Sequence, residues 1–154
     1  MKIVVGCDHA GFPLKETVLH TINDLGHEAI DVGTFSLERV DFPDFAEKVG
    51  LTIQEGKAER GIAICGSGVG SCIAANKMTG IYASVCHDTY SAHQGVEHDN
   101  MNVLCLGARI IGVELAKEIV QAFLKAEYFN NGNYAKRVEK IKAIEHKAKG
   151  ERYE

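Results

Sequence analysis

Short apolar runs alternate along this chain with longer stretches whose apolar residues recur every three or four positions. Ile3-Val4-Val5-Gly6 reads as a buried strand. From Pro13 to Leu25, apolar residues at Leu14, Val18, Leu19, Ile22 and Leu25 form one face of a helix, and Gly26 sits where a C-terminal stop belongs. Ala29-Ile30-Asp31-Val32 is a second, weaker strand. Asp41-Phe42-Pro43-Asp44 opens a helix to about Gly56, with Phe45, Val49 and Ile53 on its apolar side. Gly61-Ile62-Ala63-Ile64-Cys65 is a continuous apolar run suited to a strand covered on both faces. Tyr82–Cys86 and Val103–Leu106 complete a set of five strands. Helices are expected over residues 70–77, 89–98, 112–125 and 134–147. Repeated strand–helix alternation predicts an α/β fold, a five-stranded parallel sheet with helices on both faces. No repeat or linker interrupts it, so residues 1–154 are expected to form one domain. The helix at about 134–147 is rich in Lys and Glu and has a thin apolar stripe. It reads either as a solvated face or as an element lying across a partner subunit.

Composition narrows the classes without choosing among them. The 154 residues are 45% hydrophobic, enough to bury a sizeable core. Seventeen basic against 21 acidic residues give a net charge of −4. No basic stripe emerges, which disfavours nucleic acid as the main partner. No apolar run approaches the roughly 18 residues of a membrane span. The start of the chain loses its apolar character too early for a secretory signal. Five cysteines, an odd number without a Cys-x-x-Cys pair, read as reduced thiols of a cytoplasmic protein.

In parallel sheets, ligands bind beyond the C-terminal ends of the strands. Here those positions hold Asp8 and His9, then Cys65-Gly66-Ser67-Gly68-Val69-Gly70, then His87 and Asp88, then Gly107, Ala108 and Arg109. Alternating glycines after a buried strand let successive N–H groups converge on one concavity, an anion site at the start of a helix. The first strand carries no glycine loop of the dinucleotide type and no Gly-Lys-Ser/Thr is present, so neither a nicotinamide nor a P-loop nucleotide is expected. Cys65 opens the glycine loop. It is a candidate thiolate, against the alternative of a small hydrophobe at a strand end. Cys7, Cys72, Cys86 and Cys105 keep that plainer assignment. Asp8-His9 pairs an acceptor with a titratable donor. His98 lies just before the last strand, on the opposite side of the sheet from the other groups. It is therefore a surface histidine, or it works in the site of a neighbouring subunit. His9, His87, His93 and Cys65 match no familiar ligand spacing, so no catalytic metal is expected.

Six motifs occur together and in order: residues 6–12 (GCDHAGF), 31–34 (DVGT), 40–44 (VDFPD), 65–70 (CGSGVG), 73–77 (IAANK) and 102–109 (NVLCLGAR). With them the chain resembles type B ribose-5-phosphate isomerases, in the family that also holds galactose- and allose-6-phosphate isomerases. The resemblance spans roughly residues 1–146. It implies a three-layer, Rossmann-like α/β/α sandwich and a cofactor-free, metal-free interconversion of an aldose phosphate and a ketose phosphate. It also implies a homodimer with active sites shared between subunits, or a tetramer of two such dimers. By resemblance, His98 opens the furanose ring across the interface while Asp8 and His9 bind the sugar. Cys65 is then the base, since Ser71 and Ile73 leave no carboxylate further along the loop. The backbone of Gly66, Ser67, Gly68, Val69 and Gly70 would stabilise an enediolate, and Arg109 and Arg137 would hold the phosphate. Three positions depart from the family. Ser67 replaces a common Thr and keeps the hydroxyl. Asp99 replaces an Asn beside the histidine. Asn131-Gly132-Asn133 replaces Gly-Gly-Arg, which puts Asn133 where an arginine would meet phosphate. The alternatives are an isomerase of another sugar phosphate (allose 6-phosphate, galactose 6-phosphate or a tetrulose 4-phosphate) and a non-catalytic sugar-phosphate-binding module.

Overall fold

The computed structural model describes residues 1–150. Among them are five strands and six helices: β1 (Lys2–Cys7), α1 (Phe12–Asp24), β2 (Glu28–Asp31), α2 (Phe42–Gln54), β3 (Arg60–Cys65), α3 (Val69–Ala75), β4 (Ala83–Val85), α4 (Thr89–Asp99), β5 (Val103–Gly107), α5 (Val113–Lys125) and α6 (Gly132–Ala148). The strands form one sheet in the order β2-β1-β3-β5-β4, and every pairing is parallel. This is the α/β sandwich expected from the alternation of patterns.

Strand periodicity sorts the core into two layers. Ile3, Val5, Ile62, Ile64, Leu104 and Leu106 face one side, where they meet Leu14, Val18 and Ile22 of α1, Val96 of α4 and Ile119 and Phe123 of α5. Val4, Ala63, Val103 and Cys105 face the other, against Val49 of α2 and Ala75 of α3. The Arg60 guanidinium donates to the carbonyls of Phe123 and Ala126, each at 2.7 Å, tying the end of α5 to β3.

Two boundaries differ from the sequence expectation. β4 spans three residues rather than five, because it is an edge strand with one neighbour. α3 stops at Ala75 because the Asn76 side chain turns to β4 instead. Its amide accepts from Ala83 N–H and donates to Ala83 C=O, both at 2.8 Å, and so covers part of the exposed sheet edge. α6 touches its own chain through α4, and the Glu145 carboxylate accepts from the Gly80 amide at 3.2 Å. Val138 is its one buried side chain, while Ile141 and Ile144 stay exposed.

The strand order reverses between β1 and β3. β1 leads through α1 to one flank, and β3 opens the other. Such a switch point leaves a crevice at the C-terminal ends of the two strands. Register places Cys7 beside Ile64 and Cys65 beside Gly107, so the loops after β1, β3 and β5 meet there.

Candidate active site

A cavity of about 350 Å³ lies at that crevice, lined by Asp8, His9, Cys65, Ser67, Phe42 and Arg109 among others. It continues toward Val40 and Asp41 through a second hollow that shares Asp8, His9 and Phe42. Asp8 is buried, and one of its carboxylate oxygens accepts from the Gly11 amide at 2.8 Å, which fixes the turn into α1. Its side chain also lines the cavity. His9 is held from across the cavity: its Nδ1 lies 3.2 Å from both the amide nitrogen and the carbonyl oxygen of Val40.

The loop after β3 has the shape its glycines predict. Gly68 caps α3 in the left-handed region, at φ 80° and ψ −18°. That turn aims its N–H at Cys65 Sγ, 3.2 Å away. Ser67 Oγ accepts from the Val69 amide at 3.3 Å, and its residue is exposed to the cavity mouth. The loop cannot drift, because Cys65 and Gly66 carbonyls accept from the amides of Ala108 and Arg109 at 2.9 and 3.0 Å. The Arg109 side chain lies over Gly66, where a Cβ would approach its Nη1 to 3.3 Å. A thiol, a ring of N–H donors, a carboxylate, an imidazole and a guanidinium thus share one opening. Such a set can remove a proton and stabilise the oxyanion that results.

The pKa of the Cys72 thiol, on α3, is lowered to about 6, chiefly by a hydrogen bond from the Cys105 thiol, which is itself raised. Cys72 faces Ala83 of β4 and not the cavity. Burial raises Cys7 to about 11. Burial also lowers His87, whose Nε2 accepts from the Gly107 amide at 3.0 Å. Among the described residues, no group of three or more His, Cys, Asp or Glu is placed to hold a metal ion. No described helix is long and apolar enough to cross a membrane.

The other expected residues gather elsewhere. His98 lies in the last turn of α4, near the start of β5, and its ring stacks on Tyr134 of α6 with centroids 4.6 Å apart. Phe129 lies 5.9 Å away on the same ring. Asn133 and Arg137, both exposed, lie one turn apart at the start of α6, in the same neighbourhood. Asp99 follows His98 and is exposed. Cys65 sits beside Gly107 at the far end of β5, and a strand of that length spans about 13 Å before the turn back to His98 is added. Within one chain, then, the structure brings Asp8, His9, residues 65–70 and Arg109 together. It leaves His98, Asp99, Asn133 and Arg137 as a second cluster.

Residues 3–141 match the family described as Ribose/Galactose Isomerase. The chain belongs to that family. Ribose-5-phosphate isomerase B of Escherichia coli K12 is 49% identical over 144 residues, covering 94% of this chain and 96% of the relative. D-erythrulose-4-phosphate isomerase of Pectobacterium atrosepticum is 44% identical over 150 residues, covering 97% and 98%. Among solved structures, Clostridium thermocellum ribose-5-phosphate isomerase B superimposes with a TM-score of 0.92 at 47% identity, over 96% of this chain and 99% of that one.

In this member of the ribose/galactose isomerase family, three further side chains support the two groups, and none was singled out from the sequence as a site residue. Phe42 closes over the glycine loop, its ring 2.7 Å from where a Cβ on Gly70 would sit. Lys15 is buried beneath the loop that follows β2, bonded to Asp31 at 2.9 Å and to the Thr34 carbonyl at 2.6 Å. Gln94, one helical turn before His98, meets its ring. Phe42 lies within the 40–44 motif and Gln94 has the four-residue spacing on a predicted helix, while Lys15 has no readable signal.

Proposed function

We propose that this chain interconverts ribose 5-phosphate and ribulose 5-phosphate through an enediolate, as a homodimer in the cytoplasm with each active site built from both subunits. The observation that carries the reading is the Gly68 N–H held on the Cys65 sulfur inside a cavity that also presents Asp8, His9 and Arg109.

Those positions, with the family resemblance, support the following chemistry. In the furanose, His98 of the neighbouring subunit gives a proton to the ring oxygen as the C1–O bond breaks. The Asp8 carboxylate takes the anomeric hydroxyl proton, leaving an aldehyde at C1. The Cys65 thiolate then removes the proton from C2, and the electron pair moves into a C1–C2 double bond and onto O1. The N–H groups of residues 66–70 receive that charge, and removing one such donor typically costs about 10²–10³ in rate. The Ser67 hydroxyl relays the O2 proton to O1, and the Cys65 thiol returns its proton to C1, which leaves the ketone at C2. Arg109 binds the phosphate end from one subunit. Arg137 and Asn133, on the first turns of α6, bind it from the other, aided by the positive end of that helix.

The separation of the two clusters supports sharing, since His98 and Cys65 of one chain stand at opposite ends of the strands. Val69 and Ile73 on α3 and Ile141 and Ile144 on α6 remain exposed, which leaves apolar surface for a second subunit. The test is complementation. Cys65→Ala and His98→Asn chains should each be inactive on ribose 5-phosphate. An equal mixture, after subunit exchange, should recover roughly a quarter of the wild-type sites, because half the dimers are mixed and each holds one intact site. A mixture as inactive as its parents would overturn the shared site.

One observation favours a second substrate. Asn133 offers an amide where an arginine would supply charge, and a relative 44% identical is named for a four-carbon sugar phosphate. Turnover of four-, five- and six-carbon aldose phosphates side by side decides between the two.

A further inference from the structure

Resting on the reading that His98 acts on the sugar ring, we infer that Gln94 is a positioning residue that fixes which nitrogen of His98 carries the proton. Gln94 and His98 lie four residues apart on α4 and share one face of the helix. The Gln94 amide nitrogen is 2.8 Å from His98 Nδ1. With that NH₂ as the donor in the proposed arrangement, Nδ1 accepts and the neutral imidazole carries its proton on Nε2.

The rest of the ring's surroundings set its plane but not its protons. Tyr134 stacks at 4.6 Å with an angle of 30° between the planes, and Phe129 packs at 5.9 Å and 49°. The Phe129 amide is bonded to the Glu97 carbonyl at 2.8 Å, which anchors that aromatic wall to the end of α4. The Glu97 carboxylate is engaged with His93 at 3.1 Å and not with His98. The aromatic rings resist tilting, and Gln94 selects the rotation and the tautomer. The vertex left over, Nε2–H, hydrogen-bonds the ring oxygen and passes it its proton as the C1–O bond breaks, and the proton that Asp8 takes from the anomeric hydroxyl returns through solvent to Nε2, so the imidazole ends neutral as it began.

This assignment separates Gln94 from the proton transfer at carbon. Ribulose 5-phosphate has no ring to open, because its only suitably placed hydroxyl is phosphorylated. Exchange of its C1 protons with deuterated water needs Cys65 and the glycine loop but not His98. Gln94→Leu should therefore lower net conversion of ribose 5-phosphate about five- to tenfold, the worth of one hydrogen bond. KM and C1 exchange should stay close to wild type. By nitrogen-15 NMR of the histidine rings, the His98 signals, assigned by their loss in His98→Asn, should show the Nε2–H tautomer in wild type. They should show a mixture in Gln94→Leu, and a shift to the Nδ1–H form in Gln94→Glu, whose carboxylate of the same shape can only accept. A wild-type His98 with its proton on Nδ1, or a Gln94→Leu enzyme unchanged in both tautomer and net rate, would overturn the inference. So would a parallel fall in conversion and exchange, which marks a structural role. His98→Asn distinguishes the two levels. If that variant fails to spare exchange relative to conversion, the ring-opening role of His98 falls. If it spares exchange and Gln94→Leu does not, Gln94 alone is wrongly placed.

Discussion

The left-handed turn at Gly68 gives the most demanding test of the glycine loop. An alanine there meets two costs. The residue stands at φ 80°, where an L side chain is strained by roughly 1–2 kcal/mol. Its Cβ would also lie 3.1 and 3.2 Å from the Leu106 carbonyl carbon and the Gly107 nitrogen, backbone atoms of β5 that cannot swing aside. A tight contact of that kind adds about 1 kcal/mol, the low end for overpacking. For a domain of this size each kcal/mol lowers Tm by about 2–4 °C, so Gly68→Ala should lose roughly 4–12 °C. Relieving the contact by rotating the peptide would swing the Gly68 N–H off Cys65 Sγ, at a further cost of about 10²–10³ in kcat. Gly26 supplies the control. It too has a positive φ, 82°, yet a Cβ there would meet nothing within 4 Å, and it is remote from the cavity. Gly26→Ala should lose only the strain part of the stability and keep wild-type kcat. Both variants are read by thermal unfolding and by formation of ribulose 5-phosphate. If Gly68→Ala matches Gly26→Ala in both, the shape of the loop is not what prepares Cys65.

Three further outcomes are expected. Lys15→Leu strands the Asp31 carboxylate and the Thr34 carbonyl and should cost about 3 kcal/mol in urea unfolding, the low end for a broken buried pair because Asp31 keeps 26% of its side chain exposed. His87 is held neutral by burial and by the Gly107 amide, so its folded-state pKa lies below the ordinary 6.5. The unfolded chain then binds the extra proton first, and stability should be complete above pH 6.5 and fall as the pH drops through the folded value. His87→Gln should flatten that acid limb in a series of melts. Asn133→Arg should lower KM for ribose 5-phosphate with kcat little changed, as expected for uniform binding. An unchanged KM would place Asn133 away from the phosphate.

The layers of the sheet were legible because parallel strands buried on both faces must be continuously apolar, as residues 61–65 and 103–106 are. The edge strand was overextended for the complementary reason. An apolar run does not reveal that β4 has one neighbour, nor that the Asn76 side chain takes over its pairing. The chemical residues after β1, β3 and β5 followed from the rule about strand ends, and so did the anomaly of His98. The sequence could not show that Val40 holds His9, that Lys15 supports the loop beneath it, or that Tyr134 stacks on His98. Each joins segments at least 19 residues apart through contacts set by the tertiary fold. Gln94 is local and could have been found from its spacing to His98.

The distance between the two clusters has a chemical consequence. In the proposed reaction the ring-opening acid and the base act at different atoms and in succession, so each has to be prepared on its own. Within a chain His98 and Cys65 are kept apart by the length of β5, and in the proposed dimer it is the second chain that brings an acid near a base. The two groups are also oriented by unrelated devices, a backbone N–H on the sulfur and a side-chain amide with two aromatic rings on the imidazole. A substitution that disturbs one support therefore leaves the other half-site prepared, and a mixed dimer can use it. On this reading the complementation of Cys65→Ala by His98→Asn and the separation of exchange from conversion in Gln94→Leu have the same origin. Each half-site is preorganised within its own subunit, and assembly supplies proximity.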